Sequence, residues 1–284
     1  MLRKKLKSFI INKYDSKKIR ICYSKSERFR KISWHSRVTK IHKIMEKSSE
    51  NREGEPSLLQ EIKDKRENLE KDNFISVDLN LSDIEREVLS RVKIEKELEQ
   101  FNYYGPLADD LEIKLEDKFK EMGRNSENDI SIISRKVAEL AREMVSGFDE
   151  EAAWVMVRVS LPNDEFQTPR WHPDGSYYYD NEGRRAPAYK LVATLKGPQT
   201  LFAEKIDAEK FGKTLTGEDT IETRKELAKL VKPINIVKDG QGVVYLVGHK
   251  DAVIHSEPNI TESRIFIAVL PGSGKQIKEW KGDK

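Results

Sequence analysis

The sequence predicts an α+β protein in which a helical N-terminal region precedes a C-terminal β-sandwich or barrel. Three observations carry this. Between residues 82 and 147, apolar residues recur at helical spacing in three runs, each with its own start and stop signals. From residue 151 the pattern changes to short β-rich runs separated by Gly, Pro, Asn and Asp. The charge also changes sign along the chain. Residues 1–47 hold 16 Lys and Arg against 3 Asp and Glu, a net of +13; with +3 overall, the remainder carries 3 − 13 = −10.

Residues 1–47 read as a basic arm in which Tyr14, Tyr23, Phe29 and Trp34 are interleaved with the cations. Such an arm suits phosphate contacts with aromatic stacking, so nucleic acid or an anionic surface is one expected partner. The other reading is a solvated segment that folds back on the acidic body. Residues 48–78 are charged with few large apolar side chains and read as a linker, with room for a short helix over 58–69.

Residues 79–150 read as a helical region that packs on the sandwich. Ser82-Asp83-Ile84-Glu85 is a capping box, followed by Ile84, Val88, Val92 and Leu98. Pro106 suits the first turn of a second helix, with Leu107, Leu111, Leu115, Phe119 and Met122 on one face and Gly123 as its stop. Ser126 opens a third, with Ile130, Ile133, Val137, Leu140 and Met144 inward and Gly147 at its end.

The C-terminal part, 151–284, carries the predicted strands: WVMVRVSL (154–161), YKLVATL (189–195), GVVYLVG (242–248), AVIHS (252–256) and RIFIAVL (264–270). One helical insert over 222–231 is closed by Pro233. With 284 residues, 37% of them hydrophobic and 36% charged, the chain can bury a sizeable core beside a solvated extension. No apolar run approaches the roughly 18 to 20 residues that span a bilayer. Phe9-Ile10-Ile11 is too short for a signal-peptide core, and the single cysteine, Cys22, leaves no pair for an internal disulfide. A cytoplasmic protein is expected.

WHPDG (171–175) is the stretch that carries chemistry. A non-haem Fe(II) site takes two histidines and one carboxylate on one face of the metal and leaves the other face open. In an extended strand, residues i and i+2 point to the same side, so His172 and Asp174 can converge on one ion. Pro173 suits a strand end, and Gly175 lets the chain turn away. Two histidines lie downstream. His249 falls in a hairpin-like turn, and His255 ends an apolar strand and is the better third ligand. Arg264, nine residues later, opens another apolar strand; a buried arginine there needs an anionic partner, which a dicarboxylate would supply.

This arrangement resembles the Fe(II)/2-oxoglutarate-dependent dioxygenase superfamily, whose motif is His-x-Asp, a distal His, and an Arg or Lys roughly ten residues further on. Here it reads His172-Pro173-Asp174, His255 and Arg264. The separation 255 − 172 = 83 is long, and the helical insert accounts for it. WHPD (171–174), TLKGPQTLF (194–202) and HSEP (255–258) are similar to a bacterial branch of that superfamily. The resemblance covers residues 151–272. It implies a double-stranded β-helix (jelly roll) with Fe(II) on His172, Asp174 and His255 and 2-oxoglutarate paired with Arg264. It also implies hydroxylation of a substrate, with succinate as co-product and no catalytic side chain beyond the metal ligands. Many members carry a Ser or Thr two residues after the arginine, where this chain has Phe266. Tyr189 and Thr194 are the expected substitutes as cofactor-binding residues. The loop after the ligand turn, with Tyr177, Tyr178, Tyr179 and Arg184, is expected to cover the open metal face as a substrate loop, the bland alternative being a hairpin tip. The competing reading of the whole is a non-catalytic jelly-roll binding module with a nucleic-acid- or membrane-binding arm.

Overall fold

Residues 57–107, 110–180 and 182–282 are described by a computed structural model. The basic arm and the first part of the expected linker lie outside the described residues. The remainder of that linker is folded. It forms helices α1 (Leu58–Asp64) and α2 (Arg66–Asp72) and strand β1 (Phe74–Asp78). Composition misled because only a few apolar residues are needed here: Leu58, Ile62, Leu69, Ile75 and Val77 are all buried.

Three more helices follow. α3 (Asp83–Arg91) starts at the expected capping box, but it ends sooner than the periodicity predicts. Ile84 is exposed, and Leu98 opens strand β2 (Leu98–Gly105) at the edge of the main sheet, so the region 79–150 is not wholly helical. α4 (Asp110–Phe119) begins after Pro106 and Leu107 and buries Leu111, Leu115 and Phe119. α5 (Glu127–Gly147) starts from Ser126, whose hydroxyl accepts from the Asp129 amide, and buries every apolar position expected of it.

The main sheet adds β3 (Ala152–Ser160), β6 (Ala188–Lys196), β9 (Gln241–Val247) and β11 (Arg264–Gly272). Its antiparallel order is β1-β9-β6-β11-β3-β2. A second sheet has the order β10-β7-β8, from Ile254–Ser256, Leu201–Lys205 and Val231–Ile234. On the free side of β10, a bridge between His172 and His255 supplies a fourth position. The chain therefore alternates between two four-stranded layers, β9-β6-β11-β3 and β8-β7-β10-His172. This is the double-stranded β-helix. A small hairpin, β4 (Tyr178–Tyr179) with β5 (Arg185–Ala186), lies beside it.

The helical insert expected over 222–231 is α7 (Ile221–Ala228), and a helix outside that range, α6 (Ala208–Leu215), precedes it. Pro233 belongs to β8, an edge strand, where a missing N–H costs no ladder bond. A last helix, α8 (Gly274–Gly282), follows β11. Among the described residues no helix is long and apolar enough to cross a membrane.

Both faces of the main sheet are covered, which is why β3 and β11 read as continuous apolar runs. Val155, Val157, Leu191, Ala193, Ile265 and Ile267 face outward into a core shared with α1–α5. Their neighbours in sequence, Trp154, Met156, Val192, Phe266 and Ala268, face inward with Phe202 of the second sheet and Tyr245. A third cluster, with Phe211, Leu227 and Ile254, fixes the helical insert to the outer side of the second sheet.

Candidate metal centre

The centre starts from one pair of backbone hydrogen bonds. The His172 amide donates to the His255 carbonyl at 3.0 Å, and the His255 amide donates back at 3.0 Å. Residues directly opposite in an antiparallel pair project to the same face. The two imidazoles therefore lie together, with centroids 4.6 Å apart. Asp174, two residues on, returns to that face. Its carbonyl accepts from the Gly248 amide at 3.3 Å, which ties the ligand turn to the hairpin after β9. Gly248 has φ +73°, and a Cβ there would stand 2.6 Å from the Ser176 hydroxyl, so this close crossing needs glycine.

One ligand atom from each of His172, Asp174 and His255 lies within 4.8 Å of the others. The donor set fits a divalent metal. His172 Nδ1 is 2.7 Å from the Arg170 carbonyl and His255 Nδ1 is 3.4 Å from that of Val253. An N–H held there leaves Nε2 of each ring as the lone pair. Burial lowers the pKa of His255 to about 4, partly offset by the charge of Asp174, so its ring is neutral at pH 7. Burial pushes the Asp174 carboxyl up, but the charge of Lys190 and the hydrogen bonds of Lys190 and Tyr245 outweigh it and hold the group well below the usual carboxylate range. His249, as expected, sits exposed in the turn beside Asp251 and apart from this cluster.

Arg264 is 4% exposed, a buried cation as the sequence predicts. Its Nε donates to the Pro198 carbonyl at 2.9 Å, and its Nη2 donates to the hydroxyls of Thr194 at 3.2 Å and Thr200 at 3.0 Å. Phe266, the departure from the family pattern, lies under the guanidinium with its centroid 4.7 Å away. Among the described residues Arg264 meets only neutral oxygens and that ring. Burial lowers its pKa to about 10, which leaves it charged at neutral pH. Gly197 makes the approach of the 197–200 turn feasible: with φ +87°, a Cβ would stand 2.6 Å from the Ser263 carbonyl.

Asp174, His255, Arg264, Thr200, Tyr177 and Phe266 line one pocket, together with Trp154, Met156, Val192, Lys190 and Tyr245. Several of these lay outside the sequence reading. Lys190 Nζ is 2.8 Å from Asp174 Oδ2, and the Tyr245 hydroxyl donates to the same oxygen at 2.7 Å. Arg170 and Arg158 share the carboxylate of Glu257 at the pocket wall, at 2.9 and 3.5 Å. Strand parity was the available signal for Lys190, because it is in step with Val192 and Thr194.

Thr194 is where the sequence places it, beside Arg264. Tyr189 is not. It points out of the pocket and stacks on Phe148 at 5.0 Å, since it is out of step with Thr194 on the same strand. The tyrosine loop divides. Tyr177 donates to Asp174 Oδ1 at 2.9 Å and lines the pocket. Tyr178 is buried elsewhere, its hydroxyl donating to the Leu270 carbonyl at 3.0 Å. Tyr179 is exposed, and Arg184 is exposed and paired with Asp180 and Glu182. β4 and β5 hold this loop as a hairpin, so Tyr178, Tyr179 and Arg184 do not form the expected lid.

No family model matches the chain, and no curated protein matches it. Among solved structures, the chain is similar to a prolyl-4-hydroxylase from Pseudomonas putida at 12% identity and a TM-score of 0.36, over 75% of this chain and 98% of that one. It is similar to HygX from Streptomyces hygroscopicus, solved with nickel, 2-oxoglutarate and hygromycin B, at 14% identity and a TM-score of 0.36, over 74% and 86% of the two chains. A viral collagen prolyl hydroxylase from Paramecium Bursaria Chlorella virus-1, in complex with 2-oxoglutarate, is similar at 14% identity and a TM-score of 0.31, over 70% and 94%.

Proposed function

We propose that this chain is an Fe(II)- and 2-oxoglutarate-dependent oxygenase that hydroxylates its substrate. One observation carries the reading. Three ligand atoms of the right types converge within 4.8 Å in a pocket that also holds a buried arginine in direct contact with no carboxylate among the described residues, Glu257 acting on it only at longer range. A buried guanidinium satisfied only by neutral oxygens is costly, and a bound dicarboxylate relieves that cost.

His172, Asp174 and His255 would hold the iron on one face. Arg264 would grip the far carboxylate of 2-oxoglutarate through its fork, with the hydroxyls of Thr194 and Thr200 beside it. Bound iron and 2-oxoglutarate supply the dioxygen chemistry that oxidises an unreactive C–H bond. The protein's own part is orientation and exclusion of water. Tyr177 and Tyr245 donate to the two oxygens of Asp174 and fix its plane. Burial raises the pKa of both phenols, and the Asp174 charge raises them further, so they stay donors. Trp154, Met156, Val192 and Phe266 wall the pocket with apolar surface. A cytoplasmic location and an anionic partner for residues 1–47 are proposals that rest on the sequence alone.

Iron content, 2-oxoglutarate binding and succinate release, measured on the full chain, test this. All three are expected, and all three should depend on His172, Asp174 and His255. A chain that binds iron but neither binds nor consumes 2-oxoglutarate overturns the cosubstrate. A chain that binds no divalent metal overturns the whole reading.

A further inference from the structure

We propose that Lys190 is a built-in rival of the metal at Asp174: its ammonium stabilises the fold without metal and weakens the hold of the site on a divalent cation. This rests on the reading of His172, Asp174 and His255 as metal ligands. Lys190 lies on the inner face of β6 with its side chain 7% exposed. Its Nζ is 2.8 Å from Asp174 Oδ2. That same oxygen is 3.8 Å from His255 Nε2, so it is the one turned toward His255. Oδ1 is taken by the Tyr177 hydroxyl. Among the described residues Asp174 is the only carboxylate paired with Lys190, whose other contacts are the Tyr177 hydroxyl at 3.3 Å and ring at 5.3 Å.

The charges decide the consequence. Two neutral imidazoles and one carboxylate would offer a divalent metal a ligand set of charge −1. With the ammonium on the same carboxylate, the set is neutral. A dication entering it meets a like charge across one oxygen atom, and Arg264 adds another cation to the pocket wall. Conversely, without Lys190 a metal-free Asp174 would be a buried carboxylate short of its counter-ion, which is strongly destabilising. Metal and ammonium thus serve the same carboxylate, and a bound dianion offsets most of the excess positive charge when both are present.

Lys190→Gln keeps a hydrogen-bond donor toward Asp174 and removes the charge; Lys190→Arg keeps the charge. The probe is Mn(II), with binding measured by calorimetry and melting followed in chelator and in excess Mn(II). Lys190→Gln should melt below the wild type in chelator, bind Mn(II) more tightly by a factor within the usual coupling range of about 5–150-fold, and gain more from Mn(II) on melting. Lys190→Arg, which keeps the charge, should not bind Mn(II) more tightly than the wild type, whatever its larger side chain does to melting. A purely structural role predicts the opposite sign for affinity, since a loosened Asp174 binds metal less well. Unchanged or weaker Mn(II) binding in Lys190→Gln therefore overturns the proposal. If Lys190→Gln does not fold in chelator, Mn(II) should fold it, and failure to do so also overturns the proposal. A wild-type chain that binds no Mn(II) fails at the earlier step, the metal centre itself.

Discussion

The two faces of β6 differ by one residue in phase and by everything in chemistry. Leu191, Ala193 and Leu195 face the helices and are apolar without exception. Lys190, Val192 and Thr194 face the pocket, and two of the three are polar and buried. β11 repeats the contrast, with Ile265, Ile267 and Val269 outward and Arg264, Phe266 and Ala268 inward. The outward face lowers the free energy of folding by removing apolar surface from water. The inward face spends some of that gain on buried charges, which fold stability alone does not require. A strand buried on both sides can therefore carry the stability of the domain on one side and its chemistry on the other.

The largest expected effect comes from the inward side. Asp174→Ala leaves Lys190 buried without its partner, and breaking a buried pair in this way costs about 3–5 kcal/mol of stability. The same change removes the only anionic ligand, so iron content and succinate release should both fall to background. Melting and metal analysis of one preparation measure both. An Asp174→Ala protein that melts as the wild type and still holds iron would erase the distinction between the faces.

Arg264→Ala comes next and separates cosubstrate from metal. Removing one partner of a buried charge pair costs about 3–5 kcal/mol, and at about 1.4 kcal/mol per tenfold this is a loss of about 100-fold or more in 2-oxoglutarate affinity. Iron content should not change, because the Arg264 partners are Thr194, Thr200 and Pro198, not the ligands. Arg264→Lys should recover part of the binding, since charge remains and the fork is lost. Binding isotherms for 2-oxoglutarate on Mn(II)-loaded variants give the ratio.

Ile267→Ala tests the outward side alone. Ile267 is fully buried between β11 and the helices, and deleting its side chain should cost about 2–5 kcal/mol. Below the lowered melting point, 2-oxoglutarate affinity and iron content should stay at wild-type values. A shift in either would mean that the sheet transmits strain from the outward face to the pocket.

Much of the inner framework was legible because it is written in long apolar runs and in a spaced motif. The strands at 154–161, 189–195, 242–248 and 264–270 are there, as are the turn at His172 and Asp174, the strand end at His255 and the buried Arg264. The missed strands have physical reasons. β1 does alternate, with Ile75 and Val77 buried between Ser76 and Asp78, but it is short and sits in a charged stretch. β2 is an edge with one partner, and β7 and β8 are short and interrupted by Glu and Lys or by Lys and Pro, so no continuous apolar run marks them. Residues 57–78 hid because their apolar positions are sparse, although Leu58, Ile62, Leu69, Ile75 and Val77 are all buried. Lys190 hid because a lysine in a strand reads as solvated, and only register shows that its carboxylate partner lies 16 residues back. The pairing of Tyr189 with Thr194 as cosubstrate residues broke a rule visible in the sequence: positions five apart on one regular strand face opposite ways.

That rule gives the smallest and most discriminating effects, a Tyr→Phe series along one stretch of chain. Tyr189 is half-buried, and its ring stacks on Phe148 at 5.0 Å. Phenylalanine keeps the ring, so Tyr189→Phe should stay within about 0.5 kcal/mol of the wild type. Tyr178→Phe loses the buried bond to the Leu270 carbonyl and should cost about 0.5–1.5 kcal/mol. Neither hydroxyl touches the metal ligands or Arg264, so 2-oxoglutarate affinity and metal affinity should match the wild type in both. Tyr177→Phe also deletes one hydroxyl, but that hydroxyl holds Asp174 Oδ1 at 2.9 Å, and its loss should weaken Mn(II) binding by several-fold, toward the 10- to 100-fold that outer-shell partners of metal ligands typically control. Three changes of one atom each thus differ only in where the oxygen points. Equal metal affinity across all three would mean that Asp174 does not depend on its phenol donors. A loss in Tyr189→Phe would mean that the outward face of β6 reaches the pocket after all.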